Sequence, residues 1–252
     1  MRRWVRIAGT VMLALGVLTG AWVFVVWQWK DPFTSLYTLW QQHKLEDQYD
    51  DLKQAWGRGE SATELASVRA NLAAEAARYR RATHRGQAIG RIRVPKLGLN
   101  MTVVDGTDDG SLRKGPGRDL RTYMPGQGEL VYIAGHRTTY LAPFAHIEKL
   151  RRGDSIVLDV PYATFQYVVT GWTIVPADDV ARLRSHGREV VTLQACHPRF
   201  FATQRYLVYG KPVTVQLADG RTYRYRRRGV TLESTRASLR ALPRTAAASP
   251  SW

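Results

Sequence analysis

Short strand-like segments separated by turns fill the chain from Ile89 to Leu217. Asp154–Val160 and Thr164–Val175 alternate apolar and polar residues around a three-residue turn, which predicts a β-hairpin. Glu189–Cys196 and Arg205–Leu217 are rich in aliphatic, aromatic and β-branched residues, which are typical of strands. Strands that follow one another without intervening helices predict a mainly β domain, either an antiparallel barrel or a sandwich. Because 44% of the residues are hydrophobic, the chain can bury a core of that kind.

An uncharged segment of 21 residues, Ile7–Trp27, lies near the N-terminus. A helix of that length crosses the hydrocarbon core of a bilayer, and it exceeds the apolar region of a cleavable signal peptide. Three arginines precede it and Lys30 alone follows closely, so the positive-inside rule places the N-terminus in the cytoplasm and the later residues outside. Tryptophans near its far end, among them Trp29, are typical of an interfacial aromatic belt. Residues 1–30 are therefore predicted to be a single-pass signal-anchor.

Residues 31–87 contain two helix-like segments, each with one apolar face. The run Ser61–Glu64 predicts a capping box at the start of the second helix. These helices are predicted to form a stalk that lifts the following domain from the bilayer. The alternative is a helix that packs on the domain or pairs with another chain. The two apolar faces comprise Leu45, Tyr49, Leu52 and Trp56, and then Leu65, Val68, Leu72, Ala76 and Tyr79.

The chain is strongly basic, with 37 Lys and Arg against 21 Asp and Glu and a formal net charge of +16. This charge favours an anionic neighbourhood, such as lipid headgroups or cell-wall polymers. Nucleic acid is not expected as a partner, because the sequence carries no motif of a nucleic-acid-binding fold. Residues 221–252 begin with a cluster of arginines that includes Arg226–Arg228 and continue rich in Ala, Ser and Pro. This tail is predicted to be disordered and to touch the membrane surface or wall polymer.

Cys196 is the only cysteine, and it ends a strand-like run. Pro198 has no backbone donor, so the strand is expected to end there. A second run, 129–134, leads to His136, and a third opens with Arg205. A thiol, an imidazole and a guanidinium at strand ends can form an acyl-transfer site. A single cysteine is otherwise often a small buried hydrophobic residue, and the residues by themselves leave that alternative open.

Six histidines compete for the role of acid and base. His136 alone closes an apolar strand that could lie beside the Cys196 strand. His197 is next to the cysteine, but neighbouring residues of an extended chain point in opposite directions. His43 and His84 fall in the predicted stalk, His186 in a polar loop, and His146 after Pro143-Phe144.

The segment Thr192–Cys196, followed by Arg205 nine positions on, resembles the signature of the sortases. These are membrane-anchored cysteine transpeptidases of Gram-positive bacteria. Ala134–Arg137 is similar to the histidine motif of that family, and Gly135–Tyr140 resembles the actinobacterial class E branch. The resemblance covers roughly residues 88–217.

The resemblance implies a sortase-like antiparallel β-barrel over residues 88–220, preceded by the transmembrane helix and the helical stalk. It implies that Cys196 attacks the scissile carbonyl and forms a thioester, that His136 protonates the departing amine, and that Arg205 holds the oxyanion or a substrate carbonyl. Arg137 and Arg199 are rival arginines, and the family's spacing from the cysteine favours Arg205.

The implied substrate is a sorting signal of the form Leu-Ala-x-Thr-Gly, cleaved between Thr and Gly. The implied partners are secreted proteins that carry this signal and an amine of a cell-wall precursor or a pilin. Tyr140 and Thr192 are candidates for contact with the signal, although an aromatic at a barrel rim can equally be structural. Many sortases carry Thr just before the cysteine, and this chain has Ala195.

No cofactor and no metal site are expected. Asp105, Asp108 and Asp109 lie in a Gly-rich turn, where aspartates are common, and the chain has no zinc-ligand spacing. Two rival functions remain at this stage. One is a hydrolytic cysteine endopeptidase with the same groups, and the other is a catalytically silent barrel that binds wall polymer. The intact set of cysteine, histidine and arginine argues against the silent barrel.

Overall fold

The computed structural model describes residues 2–28, 32–56, 65–225 and 232–234 of the chain. Within these ranges, three long helices precede a β-barrel, and short helical turns lie in its connections. The α-helices are α1 (Arg2–Gln28), α2 (Pro32–Trp56), α3 (Leu65–Ala82) and α4 (Asp109–Leu112), and the 3-10 turns are Pro95–Leu97, Ile147–Lys149 and Val180–Leu183.

Ten strands of the described residues form one sheet, and eight of them close into a barrel. The strands are β1 (Ala88–Val94), β2 (Leu99–Asp105), β3 (Gly117–Arg118), β4 (Leu130–Ala134), β5 (Ser155–Val160), β6 (Ala163–Pro176), β7 (Val190–His197), β8 (Gln204–Leu217), β9 (Thr222–Tyr225) and β10 (Leu232–Ser234). The barrel order is β8-β6-β5-β1-β2-β3-β4-β7, and it closes where β7 pairs with β8. Most neighbours are antiparallel, but β2–β3 and β4–β7 are parallel. The predicted mainly β barrel is therefore confirmed, with two parallel pairings that the strand pattern did not predict.

Alternate residues of each strand fill the barrel interior, because successive side chains point to opposite faces of a sheet. On β7, Val191, Leu193 and Ala195 belong to the main core and are fully buried. Cys196 and the residues two and four positions before it therefore occupy the other face. A second apolar cluster consists of Leu130, Tyr132, Val175 and Leu207, against which Leu183 and Tyr209 pack.

Helices α2 and α3 pack against the barrel, which corrects the prediction of a stalk that lifts the domain away. Tyr79 of α3 lies in the main core, and Tyr49 of α2 packs with Ala88 and Val104. Burial of a large apolar side chain stabilises the fold by about 1.5–3 kcal/mol. Helices that extended into solvent as a stalk would lack this stabilisation. The apolar faces were predicted correctly, but their partner is the barrel. The predicted capping box, Ser61–Glu64, lies outside the described residues, and the predicted domain boundaries stay predictions.

Polar contacts fix the orientation of both helices. The side-chain amide of Gln42 on α2 bonds the backbone of Thr102 twice, donating to its O at 3.0 Å and accepting from its N at 2.7 Å. At the end of α3, the Thr83 hydroxyl donates to Asp105 at 2.8 Å. Asp105 in turn forms a buried ion pair with Arg118 at 2.6 Å. Removing one partner of such a pair costs about 3–5 kcal/mol, so the helices are held to a rigid part of the barrel.

The start of the predicted tail is ordered, which corrects the prediction of disorder for that part. Thr222–Tyr225 forms β9 along the outer edge of β8, and β10 pairs with β9. Tyr223 is buried in the main core. Thr222, Tyr223 and Tyr225 are residue types that favour a strand, but the arginines within and around the segment indicated a disordered basic tail in the sequence. Arg226–Arg228 and residues 235–252 lie outside the described residues.

Helix α1 contains a 19-residue segment, Arg6–Phe24, with a mean hydropathy of 2.0 and no buried residue. It is long and apolar enough to cross a membrane. Trp29 and Lys30, which the sequence analysis placed at the outer interface, lie outside the described residues.

Candidate active site

Cys196 lies next to the end of β7, directly opposite Arg205 on β8. Directly opposed residues of an antiparallel pair share one face of the sheet, with Cβ atoms about 4.5–5.5 Å apart. The thiol and the guanidinium therefore start from neighbouring points on the same face. The strand pairing ends one residue later, at His197, which a cis peptide bond joins to Pro198.

His136 reaches the same place along β4, which runs parallel to β7 and pairs with it as far as Gln194. The amide of Gly135 then donates to the carbonyl O of Gln194 at 3.0 Å, which extends the ladder by one residue. The next residue, His136, comes level with Cys196. A side chain on Gly135 would lie 2.7 Å from the Phe144 ring, so glycine is required for this close passage.

The second apolar cluster lies on this same face of β4, β7 and β8, and its members are buried. Leu130, Tyr132 and Leu207 form part of it, and the connection 177–189 lies over its far end. In that connection the Ser185 hydroxyl accepts from the backbone N of Leu130 at 2.9 Å. The predicted thiol, imidazole and guanidinium thus lie together at one end of this buried apolar cluster.

The imidazole of His136 is half-buried, and burial lowers its pKa because an apolar environment disfavours the charged form. Two charged groups act on it in opposite directions, since Asp109 raises the pKa and Arg113 lowers it. Its Nε2 atom is buried and has no hydrogen-bond partner among the described residues. The surroundings of His136 therefore favour the neutral imidazole, with Nε2 unpaired among the described residues.

Separate neutralisation of Asp109 and Arg113 is expected to move the pKa of His136 in opposite directions. Asp109→Asn removes a charge that favours the imidazolium, so the pKa falls further. Arg113→Gln removes a charge that opposes it, so the pKa rises. NMR titration of the His136 ring in a Cys196→Ala background measures both shifts.

Both shifts should shrink as salt is added, because the side chains of Arg113 and Asp109 are 48% and 70% exposed. Asp219→Asn is the matched control, since Asp219 follows the far end of β8 and should leave the titration unchanged. Shifts of the same sign in both variants would contradict this electrostatic account of His136.

Tyr140 lies between His136 and helix α2. Its ring is 4.9 Å from the His136 ring and 6.5 Å from the Tyr37 ring, measured between centroids. Its backbone N donates to Oγ1 of Thr34 on α2 at 2.8 Å. Tyr140 and the two residues after it have positive φ values of 52°, 61° and 42°, a strained turn that these contacts hold in place. The contact of Tyr140 with a substrate stays a prediction.

Arg137, a rival arginine in the sequence, contacts the strand end that carries the thiol. Its side chain is only 7% exposed, and Nη1 donates to the carbonyl O of Cys196 at 3.1 Å. Nη1 also lies 2.9 Å from Nδ1 of His197, and Nη2 lies 2.8 Å from the Glu148 carboxylate. Arg137 therefore fixes the end of the strand that carries the thiol. No spacing pattern in the sequence links Arg137 to Glu148. Its position directly after His136 was the one sequence feature that could have pointed to a place near the site.

His197 faces away from Cys196, as strand alternation predicted. Its ring lies 6.0 Å from that of Tyr206, a residue of the main core. Burial lowers the pKa of His197, and the neighbouring Arg137 lowers it further. His197 therefore belongs to the packing on the opposite side of β7.

The guanidinium of Arg205 holds the loop between β7 and β8. Its Nη1 atom donates to the carbonyl O of Ala202 at 2.7 Å and to that of Gln204 at 3.0 Å. The planar guanidinium has five N–H donors, so the same group can hold the loop and present further donors to a ligand.

Thr192 lies on the same face of β7 as Cys196, four residues earlier, between Tyr132 of β4 and Tyr209 of β8. Its side chain is 1% exposed, and its hydroxyl has no hydrogen-bond partner among the described residues. Four residues of a strand span roughly 13 Å, so Thr192 stands well away from the thiol. Its contact with a substrate stays a prediction.

The three clustered aspartates each have a structural partner. Asp105 forms the buried ion pair with Arg118, and Asp109 pairs with Arg113. Asp108 caps α4 by accepting from the backbone N of Ser111 at 3.1 Å. These contacts account for the aspartates of the Gly-rich turn.

A family model described as the sortase domain matches residues 92–213, from β1 to β8. Sortase D of Bacillus subtilis (strain 168) is 34% identical over 133 residues, which cover 51% of this chain and 66% of that protein. Sortase SrtE1 of Streptomyces coelicolor (strain ATCC BAA-471 / A3(2) / M145) is 29% identical over 145 residues, which cover 51% of this chain and 41% of that protein. The aligned part therefore spans less than two thirds of the length of these relatives.

The crystal structure of Sortase E1 from Streptomyces coelicolor, with a tripeptide in its active site, superposes with a TM-score of 0.50 and 26% identity. The match covers 55% of this chain and 95% of that one. The domain match, the sequence relatives and the eight-stranded barrel agree with one another, and a single cysteine lies at the end of the strand where the family motif predicts it. Residues 92–213 form a domain of the sortase family, whose members are cysteine transpeptidases.

Proposed function

We propose that this chain is a membrane-anchored transpeptidase that uses Cys196, His136 and Arg205 to cleave a sorting signal between Thr and Gly. The observation that carries the proposal is the pairing of Cys196 with Arg205 across β7 and β8, with His136 level with them on β4. The signal has the form Leu-Ala-x-Thr-Gly, and the acyl group passes to an amine of a cell-wall precursor or a pilin.

In the first half-reaction, the Cys196 sulfur bonds to the carbonyl carbon of the Thr residue. The C–N bond to Gly then breaks, and the departing amine takes a proton from His136. The departing amine needs one proton, which the thiol gives up when its sulfur bonds to the carbonyl carbon. The lowered pKa of His136 therefore supports a relay from the thiol through His136 to the amine.

In the second half-reaction, an incoming amine attacks the thioester and gives its proton back to His136. The new amide bond forms as the C–S bond breaks, and the thiolate recovers the proton. The Arg205 guanidinium stabilises the oxyanion in both halves. Arg137 acts as a positioning residue, because it holds the carbonyl of Cys196 rather than the reacting atoms.

The preference for Ala after Leu is proposed from the resemblance of residues 135–140 to the class E motif. The E-type relatives of Streptomyces support this choice, although Sortase D is the more similar sequence. Ala195 departs from the usual Thr before the cysteine, but its side chain is fully buried in the core. An effect of Ala195 on the signal is therefore indirect.

The proposed location follows from α1 and from the charges around it. Arg6–Phe24 crosses the membrane, the N-terminus stays in the cytoplasm, and the barrel lies outside. There it would meet both secreted proteins that carry a sorting signal and wall precursors that carry an amine.

The full-length protein in detergent is expected to cleave a Leu-Ala-x-Thr-Gly peptide between Thr and Gly and to ligate the acyl part to added diglycine. Mass spectrometry identifies both products, and a Leu-Pro-x-Thr-Gly peptide tests the second position. Equal rates on the two peptides would contradict the proposed preference for Ala at the second position, but they would be consistent with transpeptidase activity. Hydrolysis alone at saturating amine, with several acceptors, would instead indicate an endopeptidase.

A further inference from the structure

The first three turns of α2 expose an apolar face. Residues 32–42 contain no charged side chain. Leu36, Leu39 and Trp40 are 72%, 55% and 53% exposed. Large apolar side chains that cluster on an exposed face mark a contact surface more often than a free one. We call Leu36, Leu39 and Trp40 the outer face of α2.

The barrel does not cover this face, because α2 already contacts the barrel through its other side. Thr38, Gln42 and Leu45 are buried there. The hydroxyl of Thr38 donates to the carbonyl O of Arg113 at 2.9 Å, and Gln42 bonds Thr102. These bonds fix the rotation of α2 about its axis, so the outer face stays turned away from the barrel.

Residues 32–42 precede all of the charged residues of α2, which include Lys53, paired with Asp159 of β5 at 2.9 Å. The uncharged turns come first, and Lys44 follows with its ammonium 3.8 Å above the Trp40 ring. Acidic residues then dominate the exposed surface. Leu36 and Asp47 lie on the same side of α2, because eleven residues complete three turns, and they are about 16 Å apart along the axis. The acidic residues of the second half are Glu46, Asp47, Asp50 and Asp51.

The apolar end of this gradient is the end next to α1. Three residues separate Gln28, the last residue of α1, from Pro32, the first of α2. A chain of that length spans at most roughly 14 Å, so the start of α2 cannot leave the neighbourhood of the point where α1 ends. Apolar side chains near a bilayer, a lysine at headgroup level and carboxylates farther out match the order of layers at an anionic membrane surface.

We propose that the outer face of α2 docks on the lipid surface, with Leu36, Leu39 and Trp40 in the headgroup layer. This inference rests on the proposal that α1 is a membrane anchor. Docking would also fix the position of the active site, because Thr34 bonds the backbone of Tyr140 and Tyr140 contacts His136. The site mouth is thereby held close to the bilayer, where membrane-bound substrates pass.

A second copy of the chain is a weaker candidate for the outer face. A symmetric contact through α2 would either bring the acidic second halves of two helices near each other or leave those halves outside the contact. It would also not explain why the apolar turns are the ones next to α1. A lipid surface accounts for both the position and the direction of the gradient.

Site-directed spin labelling of the full-length protein in nanodiscs tests the docking. Cys196→Ala removes the native thiol, and single cysteines are then placed by Leu13→Cys, Leu36→Cys, Leu39→Cys or Asp47→Cys. The nanodiscs contain phosphatidylglycerol and phosphatidylcholine. The ratio of oxygen to nickel-chelate accessibility should be several-fold higher at residues 36 and 39 than at residue 47, and highest at residue 13.

The four labels separate the possible failures. A water-accessible label at residue 13 would refute the anchor itself. A label at residue 13 in lipid, with residues 36 and 47 equally accessible to the chelate, would refute the docking and keep the anchor. Dipolar broadening between labels at residue 36 would assign the face to a second copy and overturn the proposal. All four positions are exposed, and thermal unfolding of each labelled protein confirms that it is folded.

Discussion

Replacement of Cys196 by alanine is expected to abolish thioester formation and peptide cleavage, a loss of several orders of magnitude in rate. The sulfur is the nucleophile, and the described residues contain no second thiol to replace it. The fold should survive, because the substitution removes one atom from a partly exposed position next to the end of β7. The mass of the protein after incubation with a Leu-Ala-x-Thr-Gly peptide detects the acyl adduct, and thermal unfolding reports stability.

The two histidines near the cysteine provide the matched pair for this experiment. His136→Ala should lose nearly as much activity as Cys196→Ala, since it removes the proton donor for the amine. His197→Ala should keep much of the activity, because His197 faces the other side of β7 and contacts Arg137 and Tyr206. If His197 proved essential and His136 dispensable, the assignment from the β4–β7 register would be wrong.

Arg205→Lys is expected to reduce the rate by on the order of 10²–10³, the usual effect of removing an oxyanion donor. The guanidinium already donates to the carbonyls of Ala202 and Gln204 while it presents further donors. An ammonium is a compact point charge and cannot reproduce that planar set of donors. Steady-state rates with the peptide and diglycine measure the loss, and circular dichroism should be unchanged.

Arg199→Lys is the control for Arg205→Lys, because Arg199 lies in the connection that leads from β7 into β8, close in the chain to Arg205. It should retain most of the activity. Near-wild-type turnover of Arg205→Lys would show that the residue supplies only a diffuse positive charge or holds the loop.

The strands could be predicted from the sequence because their signals are local, and the three candidate site residues lie at or next to the ends of strands. β7 is a run of aliphatic and β-branched residues that stops before Pro198, and His136 follows an apolar run in the same way. His197 was excluded as the acid and base because side chains alternate along a strand, and this alternation can be predicted from the residues of that one strand. The motif spacing selected Arg205, and the antiparallel register now places it opposite Cys196.

The remaining features depend on contacts between distant segments, which periodicity does not encode. An amphipathic helix shows that it buries one face, but not whether a barrel or another chain covers that face. The packing of α2 and α3 on the barrel was therefore only the alternative to the predicted stalk. The contacts of Arg137 were not predicted, because it bonds Glu148 and the carbonyl of Cys196, and these groups come near it only in the folded chain. The strand Thr222–Tyr225 was not predicted, because the arginines around it indicated a disordered basic tail.

The strand that carries the nucleophile is also the strand that closes the barrel, since β7 bonds β4 on one side and β8 on the other. Cys196 meets His136 across the first of these seams and Arg205 across the second. A chain whose barrel is still open therefore carries a lone thiol without its proton donor or its oxyanion partner. On the function proposed above, transpeptidation would therefore begin only when both seams of the barrel have closed and the three side chains have come together.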